Sequence, residues 1–140
     1  MIKAKDVIRL KMPHPSINCD LALFAHMYIC YEIGRSNKLV KVQTYKPLLE
    51  GVVDNFIDTA NYLNQHPFKK RSLIDLDKYF FISDIVFSER LKANNNNGII
   101  SDNLFNAISN KTNNLSSCNQ EFINKNDLLY INPLVRPSSS

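Results

Sequence analysis

The chain has 140 residues, 44% of them hydrophobic and 21% charged, a balance that suits one packed domain and excludes a disordered or fibrous chain. Its 17 basic residues outnumber 13 acidic ones, and the resulting net charge of +4 favours an anionic partner without naming it. Three cysteines at wide, irregular spacing suggest neither a disulfide framework nor a zinc site, and the longest apolar run, residues 21–30, carries His26 and is too short to cross a bilayer.

The first residues alternate charged and apolar types and lead directly into a strand pattern, with no apolar signal core. The expected location is therefore the cytoplasm, with no membrane partner. Over residues 6–12, Val7, Arg9 and Lys11 alternate with Ile8, Leu10 and Met12, the period of a strand with one wet face. Pro13 and Pro15 stop it, since proline cannot donate to a ladder. A polar loop to Asp20 follows.

Residues 21–31 form a second strand region, rich in aromatic and β-branched types, whose start is open to a helical reading. Gly34-Arg35-Ser36-Asn37 supplies turn chemistry, and alternation resumes over 38–45, which predicts a hairpin. From 48 to 64 the apolar residues Leu49, Val52, Val53, Phe56, Ile57, Ala60 and Leu63 recur at steps of three and four, which predicts a helix ended by His66-Pro67. A further strand is expected over 72–82.

The asparagines at 94–97 and Gly98 read as a turn tolerant of positive φ. Ser101 is a good N-cap for a short helix carrying Leu104, Phe105 and Ile108. Residues 116–132 fit a helix followed by a strand, with the order left open. One domain is expected over 1–135, with 136–140 a disordered tail.

Only three glycines are present, and none lies in a strand–glycine–helix fingerprint, which excludes that type of nucleotide-binding enzyme. No cofactor is implied. His14, Cys19 and His26 match no standard metal-ligand spacing. Asp75 and Asp77 share a strand face and could serve acid/base or Mg²⁺ chemistry, but a salt bridge with Lys78 is the plainer reading.

The sharper combination is His26 with Thr44 and Lys46, where the second and third strands converge. A histidine exchanges a proton near neutral pH, a threonine hydroxyl can hold a phosphate oxygen, and a lysine offsets charge on a phosphorane. Those roles suit RNA scission with the RNA's own 2′-hydroxyl as nucleophile, chemistry that asks for no metal. A lone histidine in an apolar strand is also a common core residue, so the two readings stand side by side. Arg9, Lys11 and His14, with Lys69-Lys70-Arg71, are the candidate contacts to an RNA backbone, and Phe68 could stack a base.

In this order the features resemble the MazF/PemK family of toxin endoribonucleases. Asp6-Val7-Ile8 is similar to the family's opening Gly-Asp-Val/Ile-Val/Ile strand, with Lys5 in the glycine's place. His26-Met27 stands where the family has Arg-Pro, Thr44 resembles its catalytic threonine or serine, and Leu73-Ile74-Asp75-Leu76-Asp77-Lys78 resembles its strand with an acidic residue before a basic one. Gly98-Ile99-Ile100-Ser101 ahead of Leu104 is similar to its terminal strand and capped helix.

The resemblance covers residues 3–112. It implies an α+β fold, mainly β: an SH3-like small β-barrel, here with a long inserted helix and a C-terminal helical segment. It implies an endoribonuclease toxin of a toxin–antitoxin system acting on single-stranded RNA, neutralised by an antitoxin protein and able to form a homodimer. The alternative is a non-catalytic SH3-like barrel that binds nucleic acid or protein.

Overall fold

The structure, a computed structural model, describes residues 1–94, 97–115 and 118–138. Five strands form the path β1 (Val7–Leu10), β2 (His26–Glu32), β3 (Ser36–Thr44), β5 (Ser72–Ser83), β4 (Phe56–Asp58), and β7 (Asn119–Phe122) joins the same sheet beside β5. All neighbours are antiparallel except β7, which runs parallel to β5. A separate two-stranded ladder pairs β6 (Ile85–Phe87) with β8 (Val135–Pro137).

Helices are few: α1 (Asp20–Leu23), α2 (Asp102–Asn113) and α3 (Lys125–Ile131), besides short 3₁₀ turns. No helix of the described residues is long and apolar enough to cross a membrane. The fold is thus mixed α+β around one mostly antiparallel sheet. Among the described residues no ladder joins β1 to β4 or β7, so a closed barrel is not shown by the strand pairing.

The hairpin between β2 and β3 forms as the turn chemistry predicts, with the Gly34 amide donating to Asn37 Oδ1 at 3.1 Å. Strand β5 is long because it serves two sets of partners. Leu39 pairs with Phe80 and Lys41 with Asp75, so Val40 alone faces four residues of β5, and this bulge divides the strand. Its first half pairs with β4 and its second half with β7.

Both sheet faces are covered. On one, Ile8, Leu10, Tyr28, Leu39 and Phe80 pack with Phe87, Leu128 and Val135 from β6, α3 and β8. On the other, Val7, Ile29, Val40, Val42 and Ile74 pack with Leu104 and Ile108 of α2. Each fully buried aliphatic or aromatic side chain contributes roughly 1.5–3 kcal/mol. The wet face expected for the first strand is accordingly lost: Val7 is fully buried and only Arg9 of β1 is exposed.

Residues 48–64 are not a helix. Pro47–Gly51 makes a 3₁₀ turn, Phe56–Asp58 is β4, and Thr59–Asn61 a second 3₁₀ turn. The physical reason is Asp77, whose carboxylate accepts the Asp54 and Asn55 amides at 2.9 and 2.8 Å and withholds them from helical carbonyls. The periodic apolar residues do not share one buried stripe either, since Val52 and Leu63 are exposed.

Helix α2 starts as predicted, Ser101 Oγ accepting the Leu104 amide at 3.0 Å, and runs further than the short helix expected. Within 116–132 the described order is strand then helix. Of the residues expected as a tail, Arg136 and Pro137 belong to β8 and the Ser138 amide donates to the Asp84 carbonyl, while residues 139–140 lie outside the described residues. Gly98 does not have positive φ; it is required because a Cβ there would meet Ala93 O at 2.8 Å.

Candidate functional site

Four strands bring their ends to a cleft of about 320 Å³. Strand pairing sets its geometry. Arg9 of β1 lies opposite Met27 of β2, Met27 opposite Val42 of β3, and Thr44, two residues on, opposite Ser72 of β5. The period of two puts Val42 and Thr44 on one face. Phe68, Lys69 and Lys70 approach from the loop before β5.

The floor is apolar, from Met27, Val42 and Phe68, and the rim is cationic, from Arg9, Lys69 and Lys70; no acidic residue lines it. One sign of charge above low-dielectric walls concentrates a field attractive to anions. Ser72 fixes the loop corner: its amide donates to Thr59 Oγ1 at 2.7 Å and its Oγ to the Lys70 carbonyl at 2.9 Å.

His26 is half-buried and lines the cleft from the start of β2. Its register partner is Leu10, so strand alternation sets it on the side away from Arg9 and Met27, and it meets the cleft at the edge. Its Nδ1 lies 2.8 Å from the Phe24 carbonyl. A carbonyl only accepts, so Nδ1 carries a proton, and in the neutral ring Nε2 presents a lone pair.

The cleft therefore gathers His26, Thr44, Arg9, Lys69 and Lys70 from the sequence-predicted set. Four others stand elsewhere. Lys46 is exposed just before the Pro47–Gly51 turn and does not line the cleft. Lys11 is tied through its backbone N–H and carbonyl to the Asn132 side chain. His14 is on the reverse of the sheet, edge-on to Phe80 and 3.9 Å from Glu121 Oε2.

Arg71 is turned to Asp58, donating from Nε at 2.9 Å, and its guanidinium lies over the Tyr45 ring at 3.6 Å. The hydrogen bond from Arg71 holds the Asp58 carboxyl below the usual carboxylate range. Phe68 is buried and stacked on His66 rather than presented to a base. Asp77 serves the 54–55 turn, and no ion pair of the described residues involves Lys78.

His14, Cys19 and His26 do not converge, and no group of three His, Cys, Asp or Glu among the described residues is placed to hold a metal ion. Two cleft residues escaped sequence reasoning. Ser72 had a faint signal, as the first polar residue of a strand paired with β3. Asn94, which donates to the Pro67 carbonyl and takes φ 53, had none beyond its place in an asparagine run.

Fold and cleft together define the class: an α+β protein whose sheet carries a basic groove with an imidazole and a hydroxyl on its lining. Comparison with protein-family models, curated proteins and solved structures finds no match to this chain.

Proposed function

We propose that the chain is an endoribonuclease of toxin type that cleaves single-stranded RNA in this cleft and is neutralised by an antitoxin protein. The observation that carries the reading is the meeting of His26 and Thr44 with three cations in one groove free of carboxylates. His26 Nε2 takes the proton of the 2′-hydroxyl, the 2′ oxygen attacks phosphorus, and the bond from phosphorus to the 5′ oxygen breaks as that oxygen takes a proton from solvent water. The products are a 2′,3′-cyclic phosphate and a 5′-hydroxyl. Thr44 orients a phosphate oxygen, and Arg9, Lys69 and Lys70 offset charge on the phosphorane.

Two further features support the MazF/PemK-like reading and its SH3-like barrel. Lys5, which stands at the family's glycine, has φ 79, the left-handed conformation glycine adopts most readily. The 47–61 segment is short turns and a strand, which removes the long helix as a departure from the family pattern.

The test is incubation with single-stranded RNA and end-mapping of the products. His26→Ala is expected to lower the cleavage rate at least about a hundredfold, the usual contribution of a general acid or base. Its thermal midpoint should stay near the parent's, because the ring is not in the core. Equal cleavage by parent and variant removes His26 from the mechanism.

A second reading, RNA binding without scission, is favoured by the register that pairs His26 with Leu10 and leaves the ring at the cleft edge. Its signature is salt-sensitive RNA affinity with no new RNA ends.

A further inference from the structure

On the reverse face of the sheet lies a second cavity of about 330 Å³, sharing no lining residue with the cleft. Lys41 and Gln43 point into it from β3, whereas Val42 between them lines the first cleft, as strand alternation requires. Asp75 of β5 is the direct cross-strand partner of Lys41. Neighbours so placed have Cβ atoms about 5 Å apart, yet no ion pair within 4.0 Å joins them.

Among the described residues the Asp75 carboxylate accepts only the Asp77 amide at 2.9 Å and Gln43 Nε2 at 3.3 Å. The Lys41 ammonium, half-buried, has no hydrogen-bond partner among the described residues. Burial lowers the affinity of Lys41 for its proton and raises that of Asp75, so both charged forms lack the solvation they would have in water. A cation and an anion set side by side and unpaired invite a ligand that pairs with both. The other walls are Leu21, Leu49, Val52, Val53 and Phe80, which are apolar, together with His14, Asp77 and Lys78 at the polar side.

We infer that this cavity binds a small apolar α-amino acid, its carboxylate on Lys41, its ammonium on Asp75, and its side chain against Leu49, Val52 and Phe80. The carboxylate of a zwitterion satisfies the lysine, and the ammonium uses lone pairs that Asp75 leaves open. Hydrocarbon burial supplies the rest of the affinity. This inference does not depend on RNA cleavage, since the two sites share no residue.

The experiment is calorimetric titration of the whole chain with L-leucine, L-isoleucine and L-phenylalanine, alongside 4-methylpentanoate, which lacks the amine, and isoamylamine, which lacks the carboxylate. At least one amino acid is expected to bind, at least about tenfold more tightly than either truncated analogue. Lys41→Met should abolish binding, and Val52→Glu, at an exposed wall position, should weaken it with the thermal midpoint unchanged. Amide shift changes on binding should centre on Lys41, Gln43 and Asp75. The inference is overturned by no binding at about 10 mM, by an analogue binding as well as the amino acid, or by shifts centred on His26 and Thr44.

Discussion

Lys5 takes φ 79 with its backbone held on both sides, its amide donating to the Cys30 carbonyl and its own carbonyl accepting from the Ile100 amide. Left-handed backbone costs an L-residue about 1–2 kcal/mol, which glycine escapes. Lys5→Gly is therefore expected to be at least as stable as the parent in urea, whereas Lys5→Val should lose about 1 kcal/mol or more, because branching at Cβ worsens the strain. Gly98 poses the opposite constraint, close approach without positive φ. Gly98→Ala must displace the Ala93 backbone and should cost about 1–3 kcal/mol, read as a lowered urea midpoint.

Asp58 gives a pH-dependent contribution of definite sign. The Arg71 hydrogen bond depresses its folded pKa below that of the unfolded chain, so the stabilisation is present above the unfolded value and is lost as pH falls through the folded one. Stability curves of Asp58→Asn and parent should converge at acid pH and separate above about pH 4. A gap that widens on acidification contradicts the assignment.

At the scale of elements, Asp77 decides how the chain leaves β3. Its carboxylate takes two backbone amides and the Asn55 side-chain amide, so Asp77→Ala strands three donors. The expected loss is about 1–3 kcal/mol in chemical unfolding. This is also where sequence reasoning failed. The helical spacing over 48–64 is genuine, but a carboxylate more than 20 residues away competes for the same amides, and no local pattern reports such a partner.

Elements governed by local chemistry were legible: the hairpin turn at 34–37, the Ser101 cap, the alternation of β3, and the strand expected over 72–82. The site was half legible for the same reason. Thr44 sits on a strand that alternation reveals and His26 on one that aromatic and β-branched composition reveals, whereas Ser72 enters the cleft only through a register fixed by the whole β3–β5 ladder. Arg71 shows the converse, a basic residue in a basic run that tertiary contact with Asp58 withdraws from the rim.

Across the whole molecule, the proposed reading makes RNA affinity answer to salt through three cations at one groove that form no ion pair among the described residues. If Arg9, Lys69 and Lys70 each neutralise a phosphate, the slope of log affinity against log salt for a single strand should be about −2, and Lys70→Gln should reduce it by about 0.7. An unchanged slope in Lys70→Gln would show that this lysine is not on the path of the backbone.

The cleft residues fall between positions 9 and 94, yet the strands behind them rest on Ile123, Leu128 and Val135, which pack with Leu10, Tyr28 and Phe80. Strand β7, joining β5 in parallel, is also supplied by the last segment of the chain. A ribosome-bound nascent chain therefore holds every side chain of the groove before it holds the layer that makes the groove rigid. On the proposed reading, RNA binding should therefore wait for residues 119–137, and a chain stalled at residue 115 should neither grip RNA nor resist protease.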